Sequence, residues 1–419
     1  MLAGTLQTWI KRQIAVRQRL KRICTSYLLF LMVATTKHSL KEAARFSGLH
    51  PSLFSHLLQS HTRVAITTLE NLSKAQARQF AKALQRVKGL PWKIVILIDS
   101  TLQHRASLHP ENAKTFNHGK GYVIGHQWTN IVLVLGDMLI PLPPIPFYSK
   151  RYCQTHYLAY QSEHERVVAY LRTLDLEAYI GVYDRREVLV LADSGYDNKK
   201  IEKAIADKRW HFIIALSKTR SVKSEALALS TPTSRQWCHI DTFFRRHRRL
   251  KWDTMCLTTH GNTRKRMDVR IRHTSGYLRY VGKVELVCSE WRNRPDGRRK
   301  YLACNDLRAT ARQIVSAYRM RWAVELFHKC VKQHLGFEDV ATHGFDAVMS
   351  HVHWVYCAYI LLHMSPPGLS PRAQSIGDKQ RALQQGLADQ EKRHILQKLT
   401  QIGGVQRYKD ELRQALGGA

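Results

Sequence analysis

The sequence predicts an α/β protein in which a mixed core is interrupted by a β-rich insertion and flanked by helical segments. Three observations carry this expectation. In residues 91–216, β-branched apolar runs alternate with helical patterns, as in strands and helices stacked in layers. In residues 217–300 that order gives way to short alternating strands between basic turns. Residues 1–90, and most of the chain after residue 304, repeat their apolar positions at the helical period.

Residues 1–90 hold fifteen Lys and Arg but only Glu42 and Glu70 as acids. Within them, residues 39–58 read as helix, glycine turn, helix: Ala44 permits close crossing, Gly48 permits the turn, and Pro51 suits the first position of a second helix. That is a helix-turn-helix-like pattern, although a plain helical hairpin carries the same turn. If Pro51 begins a recognition helix, His50, Ser52, Ser55 and His56 face the groove of DNA.

From Pro91 the period changes. Residues 93–98 form a buried strand ending at Asp99-Ser100-Thr101, and residues 128–135 and 138–142 form a hairpin around Gly136-Asp137. The prolines at 141, 143, 144 and 146 should stop the sheet. A helix over 163–174, a buried strand over 187–192 ending at Asp193, a helix over 198–208 and a strand over 211–216 complete this part. Three strands with a hairpin, then α-β-α-β, is the order of a ribonuclease-H-like fold. Parallel strands present ligands from their carboxyl ends, so Asp99 and Asp193 should lie side by side.

The β-rich insertion, 217–300, contains strands near 255–259, 267–271 and 283–288 and the basic turns 245–249 and 292–300. Trp252, Trp291 and Tyr301 stand among its cations, where they suit either base stacking or the core of a small β domain. Residues 301–364 return to the core and carry one helix over 316–335 and a second, apolar one over 345–364. A linker and polar helices, 365–419, end the chain.

Composition limits the function. The 66 Lys and Arg against 32 Asp and Glu leave +34, which implies a polyanionic partner. The longest apolar run, residues 27–34, is too short to span a membrane, and the polar, basic residues before it do not make a signal peptide, so a cytoplasmic location is expected. Eight cysteines without a C-x2-C pair suggest reduced, buried thiols, and His211, His351 and His353 lack a second pair at zinc spacing.

In the helix over 316–335, Tyr318, Arg321, Glu325, Lys329 and Lys332 fall within roughly 80° of one another. Met320, Ala323, Val324, Phe327, Cys330 and Val331 gather on the other side as a core face. A carboxylate ringed by a phenol and cations suits a site for divalent metal and phosphate, and also suits a solvated face of i,i+4 pairs. The spacing Tyr318-x2-Arg321-x3-Glu325-x6-Lys332 resembles the Y-R-E-K signature of the insertion-sequence-four family of DDE transposases. Asp193-Ser-Gly195-Tyr196 and Asp99-Ser-Thr101 resemble the family's two aspartate blocks, in the right order, and the resemblance covers about residues 90–345.

The resemblance implies a cut-and-paste enzyme with Asp99, Asp193 and Glu325 holding two Mg²⁺ ions, or Mn²⁺ as a substitute. It implies that Tyr318, Arg321 and Lys332 grip double-stranded DNA near the cleaved end. Arg319, His328 and Lys329 on the same helix are further candidates, and Glu338, beyond the motif, is the runner-up third acid. It also implies a DNA hairpin intermediate and a homodimer holding two element ends. Some relatives carry a Trp on the strand before the signature helix to stack on a displaced base; Tyr301 stands at the corresponding place here, with Trp291 ten residues earlier. A DNA-binding protein without catalysis, derived from a transposase, and a nuclease of the same fold without strand transfer are the alternatives.

Overall fold

The computed structural model describes residues 2–84, 91–117, 121–224, 237–246, 250–258, 266–292, 299–339, 342–369, 375–402 and 404–415. They form two compact units, Ser73–Lys329 and the pair Met1–Leu72 with Cys330–Ala419.

The larger unit is organised by one sheet. Its first strand, β1 (Ile94–His104), has the β-branched apolar run in its first half, and Ile96, Leu97 and Ile98 are fully buried. Burying each such side chain stabilises the fold by about 1.5–3 kcal/mol. A short edge strand, β2 (Lys114–Asn117), precedes β3 (Tyr122–Leu135), which lies antiparallel to β1 with Asp99 opposite Asn130. β3 turns through Gly136 (φ 62°) into β4 (Met138–Pro141), the expected hairpin. The prolines do not end the sheet there. β5 (Ile145–Pro146) pairs again with β3, at an edge where the missing proline donor costs little.

Helices α6 (Lys150–Thr155), α7 (Glu163–Thr173) and α8 (Glu177–Ile180) lead to β6 (Val188–Ala192), and α9 (Lys199–Asp207) leads to β7 (His211–Leu216). β6 is parallel to both β1 and β7. Ser162 starts α7 with a reciprocal capping box to Glu165, which fixes where Glu163 emerges.

The insertion continues this sheet. β8 (Ser221–Ser224) and β9 (Cys238–His239) are followed by α10 (Ile240–Arg246), β10 (Asp253–Thr258), β11 (Arg266–Leu278), β12 (Gly282–Trp291) and β13 (Lys300–Cys304). Among the described residues the sheet has thirteen strands, with the path β2-β3-β1-β6-β7-β13-β12-β11-β8-β9. β13 covers the open edge of β7 through pairs such as Tyr301 with Leu216. Residues 247–249, 259 and 293–298 of the expected basic turns and first insertion strand lie outside the described residues.

Tyr301 is therefore a correction to its reading as a base-stacking residue. Its side of β13 faces the core: the residue is 1% exposed, its ring stacks on Phe244 at 5.8 Å, and its hydroxyl donates to Asp241 Oδ1 at 2.6 Å.

In the smaller unit, α1 (Leu2–Gln13), α2 (Gln18–Val33), α3 (Leu40–Ser47), α4 (Pro51–Ser60) and the first part of α5 (Thr62–Leu84) come from the N-terminal segment. The helix-turn-helix-like element is present. Ser39 caps α3, Gly48 closes it in the left-handed region (φ 65°), and Pro51 is in the first turn of α4. His50, Ser52 and His56 are exposed and Ser55 is half-buried, while His50 caps α4 by accepting from the Ser52 amide.

The apolar helix Phe345–His363 belongs here and not to the sheet-bearing core. It is apolar on all sides, so it needs cover all round, and α2 and α4 pack against it. Its His351 accepts from Tyr27 and donates to the Gly336 carbonyl, each at 2.8 Å. Downstream, the helix Ile376–Ile402 anchors its start through Gln380, which donates to Leu31, Ala34 and His334 carbonyls. No helix among the described residues is long and apolar enough to cross a membrane.

The burial of Tyr301 gives a direct expectation. Tyr301→Ala should lower unfolding stability by about 3–5 kcal/mol through the cavity it leaves, measured by urea denaturation. An unchanged stability would mean that the ring is not part of this core.

Candidate active site

The site is built where β6 stops. The last parallel pair is Ile98 with Ala192, so the next residues, Asp99 and Asp193, leave the two strands side by side. Asp99 is not a strand end, as the sequence suggested. β1 continues to His104 because β3 still pairs with it beyond the point where β6 has ended.

Asp193 caps a 3-10 turn, Ser194–Tyr196, accepting the Gly195 amide at 2.8 Å. The glycine is needed for room. A Cβ at residue 195 would sit 3.0 Å from Asp193 Oδ1, tighter than ordinary packing allows. The turn is held from outside by α7: His164 Nε2 donates to the Gly195 carbonyl at 2.7 Å, and the Tyr196 hydroxyl donates to Glu163 at 2.8 Å. Glu163 also accepts from Gln127 and Thr129 of β3, at 2.8 and 2.9 Å. One carboxylate thus ties the Asp193 turn to the sheet.

The third acid comes from a helix that is not continuous, contrary to the sequence reading. α11 (Ala311–Tyr318) ends, a 3-10 turn covers Arg319–Arg321, and α12 (Trp322–His334) begins. Val324, Phe327 and Val331 are buried as expected, whereas Met320, in the turn, is exposed. Tyr318 is buried and Arg321 nearly so, and Arg321 bridges two acids: it lies 3.5 Å from Asp99 and bonds to Glu325. Lys329 is exposed. Lys332 pairs with Glu338 at 3.2 Å, which engages the runner-up acid in a different contact. Arg319 bonds to the Thr258 carbonyl.

His328 was only an extra candidate in the sequence, yet it is buried here. The Asn130 amide donates to its Nε2 at 2.8 Å, leaving the proton of the neutral ring on Nδ1, 4.0 Å from Asp99 Oδ2. Asn130 and His328 therefore stand behind Asp99 from the strand and the helix.

The electrostatics follow from burial. Asp99 is pushed up to about 7, first by loss of water, then by the like charges of Asp193 and Glu325, with Arg321 opposing. Burial likewise raises Tyr318 to about 12. Carboxylate oxygens are the donors that hard divalent cations take, and added positive charge would relieve the crowding at Asp99. Among the described residues, however, no group of three His, Cys, Asp or Glu side chains is drawn together closely enough to hold a metal ion. Arg321, interposed between Asp99 and Glu325, supplies the countercharge.

A family model described as the transposase DDE domain matches residues 91–361. The chain belongs to this family. A comparison with curated proteins gave no match. The matched segment of this DDE transposase contains Asp99, Asp193, Glu325 and the whole Tyr318–Lys332 pattern, while residues 1–90 lie outside it.

Among the described residues, two tryptophans are exposed. Trp291 ends β12 at 40% exposure, and Trp322, which the sequence reading passed over, is 59% exposed beside Arg321. Its signal in the sequence was position alone, a tryptophan inside the signature.

The packing of Gly195 against Asp193 predicts that Gly195→Ala displaces the carboxylate. Because the carboxylate has to give by only a few tenths of an ångström, DNA cleavage should fall by less than the roughly 10²-fold of a 1 Å misplacement, about 10-fold, with the thermal unfolding midpoint unchanged. Native cleavage by this variant would show that the turn does not set the position of Asp193.

Proposed function

We propose that the chain is a cut-and-paste transposase of the insertion-sequence-four family on a ribonuclease-H-like core. It binds the ends of its mobile element, cleaves the DNA and joins the freed ends to target DNA. The observation that carries this reading is the convergence of Asp99, Asp193 and the Arg321–Glu325 pair from two strands and a helix, inside the matched segment.

Asp99, Asp193 and Glu325 would hold two Mg²⁺ ions, or Mn²⁺ in their place. Bound there, the ions supply an activated water at neutral pH and neutralise the leaving oxygen. Arg321 touches two of the acids, so it can exchange a carboxylate for a phosphate oxygen without leaving the site. Tyr318, Lys329 and Lys332 add contacts to the DNA backbone near the cut. Asn130 and His328 fix Asp99 from behind.

The 3′-hydroxyl freed by the first cut attacks the opposite strand, giving a hairpin end that is reopened before strand transfer. A hairpin cannot keep its terminal bases stacked, so an aromatic surface must receive the displaced base. Trp291 and Trp322 have the exposure that Tyr301 lacks. Double-stranded end DNA is read by the helix-turn-helix-like segment through His50, Ser52, Ser55 and His56. The active assembly is a homodimer on two ends, acting in the bacterial cytoplasm.

Asp99→Ala, Asp193→Ala and Glu325→Ala should each abolish Mg²⁺-dependent cleavage of labelled duplex carrying the element's terminal sequence, while affinity for that duplex changes little. Cleavage at the native rate by any one variant would remove that residue from the site. On the same substrate, Trp291→Ala or Trp322→Ala should slow hairpin formation more than first-strand nicking, by about 1–3 kcal/mol for one stacked base. Equal loss in both steps for both variants would leave the displaced base with no aromatic partner at these positions.

A further inference from the structure

Lys300 is outside the four-residue signature, yet the structure brings it to the same place. It opens β13, where pairing of its backbone with Ser289 of β12 sets its position from the sheet and not from the helix of Glu325. Its ammonium lies 5.1 Å from the centroid of the Tyr318 ring. The residue is exposed at the start of the strand; partial desolvation of its ammonium, with Arg321, lowers its hold on its proton, and Glu325 and Asp193 oppose this.

Its partners distinguish it from Arg321. Arg321 engages Asp99 and Glu325 directly, whereas the Lys300 ammonium has the Tyr318 ring as its contact and no described carboxylate in ion-pair range. Tyr318 is buried, so the ring is a fixed floor under the cation. A cation held on this ring, outside ion-pair range of the described carboxylates, retains its charge for an anion that enters the site.

We propose that Lys300 is a phosphate-binding residue of the catalytic site, gripping a non-bridging oxygen of the scissile phosphodiester; this rests on the cleavage reading above. The Tyr318 ring that holds the ammonium also contacts Arg321, which engages Asp99 and Glu325, so the two cations reach the site through one shared residue.

The test uses the full chain as native protein, Lys300→Met, Lys300→Arg and Asp193→Ala. The probe is a labelled duplex carrying the element's terminal sequence, and the same duplex with a neutral methylphosphonate at the scissile position. Affinities are measured without metal, and single-turnover cleavage of the ordinary duplex with Mg²⁺. Native protein should bind the charged duplex about 10-fold more tightly than the neutral one, as for a charge-assisted hydrogen bond. That preference should shrink in Lys300→Met and return in Lys300→Arg. Cleavage should fall about 10²-fold in Lys300→Met and recover largely in Lys300→Arg. A role confined to packing on Tyr318 would leave the preference for the charged duplex intact. The proposal is overturned if Lys300→Met keeps the native preference or cleaves at the native rate. If native protein cleaves and Asp193→Ala does not, the cleavage reading stands and Lys300 is judged alone. If native protein does not cleave, both fall together.

Discussion

The structure depends on one register, the parallel pairing of β1 with β6 that ends at Ile98 and Ala192. Slipping it by one residue would turn each apolar side chain to the opposite face and separate the two aspartates. The residues on either side, Ile96–Ile98 and Val190–Ala192, are fully buried. The same burial strips water from Asp99, so the site starts with a carboxyl whose charge is costly and whose neighbours are also acids. Arg321 offsets part of this cost, which is why a helix distant in sequence must dock where the strands end.

The two units divide the problem physically. Ser73–Lys329 carries the three acids and the extended sheet, including the insertion strands. The other unit wraps an all-round apolar helix with the basic N-terminal helices, leaving the exposed face of the helix-turn-helix-like element to solvent. A strongly basic chain of +34 can approach DNA along many surfaces, but cleavage needs one desolvated cluster of acids.

The strands of the core were legible because buried parallel strands are continuous apolar runs, and those at 188–192 and 211–216 fall within a residue of expectation. The i,i+4 pair of Arg321 with Glu325 was legible from spacing. The helix break at Arg319–Arg321 was not, because a 3-10 turn alters the periodicity by too little to show. Tyr301 was misread because a tyrosine among cations looks the same whether its ring faces solvent or, as here, Phe244 and Asp241. The insertion looked separate because its connection to β7 runs through β13, far along the chain. Likewise, nothing local in Phe345–His363 reveals that its cover comes from α2 and α4, more than 280 residues earlier.

If Asp99, Asp193 and Glu325, from three separate elements, hold metal together, a bound ion should lie close to all three stretches of chain. Iron-mediated cleavage of the polypeptide reads this directly: Fe²⁺ replaces Mg²⁺ in the full chain, peroxide and ascorbate generate hydroxyl radicals at the bound ion, and the fragments are mapped. Breaks should appear near residues 99, 193 and 325 together, all suppressed by excess Mg²⁺ and all lost in Asp193→Ala. Breaks near only one of these positions, or breaks that Asp193→Ala leaves unchanged, would contradict a shared metal site.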